Sequence, residues 1–326
     1  MVQKKTTQKR LGGEGAGGPS RRSVGGLRVA GSALGLVAGT PLVLLSRLSP
    51  AGGAKVWAKC EFLNPGGSLK DRAALAMILA AEDEGILEAG SVVVEATSGN
   101  TGISLAMICA MRGYGCVLVM PEDMSMERRL ILKAYGAEIE LTPAERGMAG
   151  AVERAKQIAR TRRGAFMARQ FENEANPLAH YQGTAQEIIE QMEEPIDAFV
   201  AGVGTGGTVT GVGRALKERC LGKVQIVAVE PASSAVLSGG RPALHGIQGL
   251  GAGFIPPIVD RSVIDEIIGV PDVQAEKASR QLAHKEGLLV GPSSGANLYA
   301  ALEVAQRLKS GNIVTILCDS GERYLF

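Results

Sequence analysis

Four short stretches of this chain hold side chains able to do chemistry, and each lies where a turn would run into a helix. The first, NPGGSLKDR over 64–72, sets Lys70 after two glycines and directly before an apolar helical run. A helix N-terminus disfavours an ammonium, and a lysine that forms a Schiff base needs its neutral amine. Taken alone, though, a loop lysine is ordinarily a solvated charge. The second stretch, ATSGNTG over 96–102, crowds Thr97, Ser98, Asn100 and Thr101 around two glycines. One such residue suffices to cap a helix, whereas this density of donors suits a carboxylate or phosphate. The third, GVGTGGTVTG over 202–211, lets Gly204, Thr205, Gly206, Gly207 and Thr208 wrap a phosphate at the next helix start. The fourth, VGPSSGAN over 290–297, offers Ser293 and Ser294, which by themselves would be helix caps.

The third stretch has a rival reading. Gly202, Gly204 and Gly207 spell G-x-G-x-x-G, and Glu230 closes a strand 23 residues after Gly207, the layout of a dinucleotide site. That would make the chain an NAD-dependent oxidoreductase and leave Lys70 without a role. Position weighs against it, because a full α/β lobe precedes the motif. Lys70 gains its meaning in combination. A reactive amine, a phosphate loop, a carboxylate loop and a neutral serine loop are the parts needed to hold a phosphorylated aldehyde cofactor and an amino acid. No P-loop, zinc spacing or nucleophile elbow occurs, and with only His180, His245 and His284 no metal site is expected.

Elements that could position these loops alternate regularly from residue 55. Strands are expected at 56–62, 91–97, 116–121, over AEIELT, at 197–203 and 224–231, and over LLVG and NIVTILCD. Helices are expected at 71–85, 101–113, 125–136, over MAGAVERAKQIART, from Thr208, and near 274–286 and 294–309, punctuated by Gly and Pro. Continuous Val, Ile and Leu strands, each followed by a helix, predict an α/β fold of parallel sheets covered on both faces. The stretch 169–196 lacks a strand signal and should carry the chain from one sheet to the next. Two lobes with a cleft at the strand C-termini follow.

Composition fits this picture. The 326 residues are 45% hydrophobic with 44 glycines, and a net charge of +2 points to neither nucleic acid nor an anionic membrane. The five cysteines are scattered without a CxxC pair, as expected of free thiols in a reducing, cytoplasmic compartment. Residues 1–26, rich in Lys, Arg and Gly, predict a disordered basic tail. The apolar stretch 27–45 that follows resembles a signal peptide, but Gly31, Gly35, Gly39 and Thr40-Pro41 interrupt it. No apolar stretch reaches the length of a spanning helix.

NPGGSLKDR, EATSGNTGISLA, MPEDMSMERRLILKAYGAEI, AGVGTGGTVTGVGR, GIQGLGAGFIP and CDSGERYL together resemble the pyridoxal-phosphate enzymes of fold type II, and cysteine synthases (O-acetylserine sulfhydrylases) in particular. The resemblance runs from about Gly39 to the end. It implies a tryptophan synthase β-like architecture, with 27–63 and 175–326 as a large cofactor-binding domain and 64–174 as a small mobile one. Lys70 would carry pyridoxal 5'-phosphate and then act as acid and base, Asn100 would bond the ring oxygen, Gly204 through Thr208 would cradle the phosphate, and Ser293 would face the ring nitrogen. Thr97, Ser98, Thr101 and Gln170 would hold the substrate carboxylate. The implied reaction forms L-cysteine from O-acetyl-L-serine and sulfide by β-replacement, via an aminoacrylate intermediate. The implied partners are a second subunit in a homodimer and the C-terminal tail of a serine acetyltransferase.

KCEFLNPGGSLKDR, NPLAHYQGTA and EGLLVG also resemble cystathionine β-synthase, so condensation of serine with homocysteine is an alternative, as is an O-phosphoserine donor. TPLVLLSRL departs from cysteine synthases, which usually carry a basic residue after TPLV. A third possibility, a non-catalytic binding partner on this fold, fits poorly with an intact Lys70, Asn100 and phosphate loop.

Overall fold

Strands rich in Val, Ile and Leu must bury both faces, and the chain does this with two separate parallel sheets joined by helices. The computed structural model describes residues 21–24, 27–97 and 99–325. In chain order it begins with a hairpin, β1 (Arg21–Val24) and β2 (Leu27–Ala30), and an edge strand β3 (Leu42–Leu44). The expected basic tail thus lies largely outside the described residues, and its segment Arg21–Val24 is a strand. Next come β4 (Lys55–Cys60) and α1 (Lys70–Asp83). Then β5 (Val92–Ala96), α2 (Asn100–Arg112), β6 (Gly115–Pro121), α3 (Met126–Ala134), β7 (Glu138–Thr142), α4 (Gly147–Thr161) and β8 (Ala165–Met167) form one lobe. Helices α5 (Ala175–Ala179) and α6 (Ala185–Gln191) are fused through one π turn at His180–Thr184. The chain returns through β9 (Ala198–Gly202), α7 (Gly207–Arg219), β10 (Gln225–Pro231), β11 (Glu266–Val270), α8 (Asp272–Gln281), α9 (Pro292–Leu308) and β12 (Asn312–Leu317).

The larger sheet has the order β11-β10-β9-β12-β4-β3, parallel except for β3, and the smaller has the all-parallel order β7-β6-β5-β8. Alternate residues of β9 enter different cores, as the two-residue repeat of a strand requires. Ala198 and Val200 join the core that α9 covers, and Phe199 and Ala201 the core that α7 covers. In β5, Val93 packs with α1 and α2, while Val92, Val94 and Ala96 pack against α4. Strand β11 and the short edge strands β3 and β8 were not legible in the hydrophobic pattern, and LLVG contributes only a bridge from Val290 to Ser320. Between the two sheets, 169–196 carries no strand among the described residues.

The start of α1 is held by charges that the core has swallowed. Arg72 donates to both oxygens of Glu61 and of Glu187, and all but a few per cent of Arg72 and Glu61 is buried. Lys59, fully buried, reaches Glu187 at 2.8 Å, the Thr40 carbonyl and the Gln191 amide oxygen. Burial would raise the carboxyl pKa values, but Arg72 and Lys59 outweigh it and bring Glu187 down to about 2. Glu61 is lowered in the same way against its own burial. Removing one member leaves an unpaired buried charge. Arg72→Ala should therefore cost about 3–5 kcal/mol, read as a lower urea midpoint, whereas the exposed pair Arg280–Glu276 can be cut with a loss of under about 1 kcal/mol.

Candidate active site

Lys70 is the first residue of α1, at the end of a turn that its neighbours shape. Asp71 folds back so that its Oδ2 accepts the Gly66 N–H at 2.6 Å and its Oδ1 accepts the Ser104 hydroxyl at 2.5 Å. Gly67 holds φ +77°, the left-handed region that favours glycine, and a Cβ there would strike the Arg323 guanidinium. The segment after β12 runs along this turn: Leu69 N–H donates to the Cys318 carbonyl at 2.9 Å, and Ser68 bridges to Asp319. Burial lowers the Lys70 pKa, although Cys318 and Asp319 pull it back up. The amine is thereby shifted toward the neutral, nucleophilic form.

The carboxylate-type loop lies between β5 and α2, as expected. Thr97 and Thr101 are buried, Asn100 is the first residue of α2, and Ser98 lies outside the described residues. Thr101 donates its hydroxyl to Gln170 Oε1 at 2.6 Å, which joins two residues 69 apart in the chain. Gln170 in turn is held by Asn176, whose Nδ2 donates to the Gln170 carbonyl at 2.8 Å and to Thr205 Oγ1 at 3.0 Å. One asparagine therefore ties the carboxylate loop to the phosphate-type loop.

That second loop, Gly204 to Thr208, leads from β9 into α7. Gly206 sits at φ +88°, and the first-turn N–H groups of α7 have no acceptor within the helix. With the buried Thr205 and Thr208 hydroxyls they form a donor set for a phosphate. Thr208 Oγ1 lies 3.3 Å from His180 Nε2, and His180 Nδ1 lies 2.9 Å from Thr184 Oγ1. Burial, reinforced by Arg72, pushes the imidazole down to about 3, so it stays neutral and braces the loop without adding charge. Ser293, in the first turn of α9, hydrogen-bonds the Cys318 thiol, and Ser294 Oγ accepts the Cys318 N–H at 2.8 Å.

Glu230 rules on the dinucleotide reading. Its carboxylate accepts Leu237 N–H at 2.7 Å, Ser238 N–H at 3.1 Å and the Ser238 hydroxyl at 2.6 Å, and it is buried. It caps the turn after β10 and offers nothing to a ribose. Among the described residues no cluster of His, Cys, Asp or Glu could hold a metal ion, and no helix is long and apolar enough to cross a membrane. A groove of about 270 Å³ between α8 and α9, lined by Gln274, Lys277, Tyr299 and Glu303, contains none of the groups described above.

Several members of the site carried no assigned role in the sequence. Asp319 is buried at the junction of Asn100, Tyr324 and Lys70, with its Oδ1 unpartnered and its pKa raised by burial. Cys318, pushed up to about 11 by burial, also faces Lys70. Both fall inside CDSGERYL, a stretch whose position beside NPGGSLK only the sheet order reveals. Asn176 and His180 fall in the strandless segment, where no local pattern marks them.

A phosphorylated aldehyde fits these groups: an amine lowered by burial, a helix mouth that presents N–H and hydroxyl donors, and a neutral serine. The family model for pyridoxal-phosphate dependent enzymes matches residues 33–319, and the chain belongs to that family. It is 51% identical over 303 residues to a probable cysteine synthase of Bacillus subtilis, covering 92% of this chain and 97% of that one. Among solved structures it superposes on a cysteine synthase of Entamoeba histolytica with a TM-score of 0.88 at 41% identity, over 93% of this chain and 91% of the other. It matches an O-ureido-L-serine synthase equally well, with a TM-score of 0.88 at 43% identity, covering 90% and 93%. The two lobes and their parallel sheets are thus those of pyridoxal-phosphate fold type II.

One buried acid behind the carboxylate loop has a measurable consequence. Glu95, in β5, accepts the Arg169 N–H at 2.9 Å and that of Gln170, yet burial lifts it to about 7 from an ordinary 4.5. Between those pH values the folded chain keeps a proton that the unfolded chain has lost. This stability contribution is present below pH ~4.5 and disappears as pH rises through ~7. The unfolding free energy of wild type should therefore fall relative to Glu95→Gln across that window. A difference that does not vary with pH in urea titrations would show that Glu95 does not hold the proton.

Proposed function

We propose that this protein forms L-cysteine by β-replacement, exchanging the acetate of O-acetyl-L-serine for sulfide. The observation that carries the reading is the hydrogen-bonded chain Thr101–Gln170–Asn176–Thr205. It joins a carboxylate loop to a phosphate loop in a chain that also holds a lysine amine lowered by burial, and that is half identical to a probable cysteine synthase.

The roles follow from the chemistry of each group. Gly204 through Thr208 hold the phosphate with first-turn N–H donors and hydroxyls. Thr97, Ser98, Thr101 and Gln170 hold the substrate carboxylate and so orient its Cα. Asn100 donates to the cofactor ring oxygen. When bound, pyridoxal phosphate supplies the electron sink that loosens the bond at the substrate Cα. Lys70 would anchor the cofactor and, once the substrate amine has displaced it, its amine, shifted by burial toward the neutral form, would take the Cα proton as acetate departs from Cβ. Ser293 would offer the ring nitrogen a neutral hydroxyl, a weaker support for the electron sink than a carboxylate, which would favour prompt loss of the leaving group. Residues 64–174 act as a mobile small domain that closes on 27–63 and 175–326 and excludes water.

The same reading places the enzyme in the cytoplasm as a homodimer. Its five free cysteines support a reducing compartment. The carboxylate loop would also accept the carboxyl-ended tail of a serine acetyltransferase.

Purified protein should show the near-visible absorbance of bound cofactor and make cysteine faster from O-acetyl-L-serine and sulfide than from serine, O-phospho-L-serine, thiosulfate or homocysteine. Lys70→Ala should lose the wild-type absorbance and lower turnover at least ~10²-fold. Unchanged absorbance and turnover in that variant, or faster condensation of serine with homocysteine by wild type, would sink the assignment.

A further inference from the structure

One cation at the junction of the three loops has no part in the roles assigned above. Arg323, six residues beyond the end of β12, donates through Nη1 to Asn100 Oδ1 and through Nη2 to the Gly66 carbonyl. It therefore spans from the lysine turn to the start of α2. Gly67, bare and left-handed, provides the space for the guanidinium. On the other side of the same amide, Asn100 Nδ2 donates to Asp319 Oδ2 at 2.6 Å, and the Tyr324 hydroxyl donates to that oxygen as well. Asp319 is itself pinned to the lysine turn and to α9, through Ser68 and through its carbonyl, which accepts the Gly291 N–H at 3.2 Å.

An asparagine amide can turn either its oxygen or its nitrogen toward a ligand with little change of shape. Here that choice has been made by charge. A guanidinium has donors and no acceptor, so it can face only Oδ1. Once Oδ1 faces Arg323, only Nδ2 is left to face Asp319 Oδ2. With Oδ1 occupied by Arg323, the amide makes its other contacts only as a donor, through the Nδ2 that faces Asp319 and Tyr324. An anionic ring oxygen requires a donor of this kind.

We propose that Arg323 is a positioning residue that locks the Asn100 side chain as a hydrogen-bond donor to the cofactor. This rests on the assignment of Asn100 to the cofactor ring oxygen. Arg323 acts through Asn100, so the effects of the two residues must not add. A like-charged but unforked lysine at 323 can reach one acceptor at a time and should recover only part of the effect.

Retention of pyridoxal phosphate by Arg323→Ala, Arg323→Lys, Asn100→Ala and the Arg323→Ala/Asn100→Ala double variant tests this, using equilibrium dialysis and the absorbance of the bound cofactor. Arg323→Ala should weaken retention roughly tenfold and shift the balance of the bound cofactor's absorbance bands, because the ring oxygen loses an oriented donor. Arg323→Lys should fall between Arg323→Ala and wild type, and it replaces Arg323→Ala in the cycle if the alanine variant does not fold. The double variant should retain cofactor no worse than Asn100→Ala alone. Additive losses, or unchanged retention and spectrum in Arg323→Ala, would overturn the inference while leaving the Asn100 assignment standing. Unchanged retention in Asn100→Ala would overturn that assignment and this inference with it.

Discussion

A buried guanidinium fixes where the chemistry can happen. Arg72 is enclosed by protein, and an arginine cannot shed its charge, so its environment had to be built around it. Glu61, Glu187, Lys59, Thr40 and Gln191 supply that environment from three different parts of the chain. Thr40 and Glu61 bracket β3 and β4, Glu187 and Gln191 belong to α6, and Arg72 belongs to the first turn of α1. The start of α1 cannot shift without breaking this set, and Lys70 is two residues away.

The three charged residues at that helix mouth divide the labour by direction. Arg72 points into the ion cluster, Asp71 folds back to hold Gly66 and Ser104, and Lys70 faces Cys318 and Asp319. Burial lowers the amine and raises Cys318 and Asp319, so the surroundings of Lys70 are driven toward neutrality. A site poised in this way favours a neutral nucleophile and strengthens any hydrogen bond made to a bound anion. Neutral His180 adds support to Thr208 without disturbing that balance.

The loops that would bind a carboxylate and a phosphate come from different sheets, yet they do not float independently. Asn176 spans them with one amide group, and Thr101 closes the chain onto Gln170. Both links pass through the helical segment between the sheets. The two loops are thus linked through the connection between the sheets.

The parallel α/β class, most helix starts and the principal loops were legible because each rests on local chemistry. A continuous apolar strand must be covered on both faces, and glycines with small hydroxyls before a helix make a donor-rich mouth. Lys70 at the first turn of α1 and Asn100 at the first turn of α2 follow from such local rules. Arg72 illustrates the limit: in sequence it is a charge on a helix that should be solvated, and only its four carboxylate oxygens, from residues 11 and 115 positions away, explain its burial. Glu230 shows the same limit in reverse, since its place in a dinucleotide pattern is genuine but its lone pairs are spent on the next turn. The sequence by itself determined which groups can donate, accept or attack. The tertiary structure decided which of them meet, because sheet order brings β12 beside β4, and with it Asp319 and Arg323 beside the turn that holds Lys70.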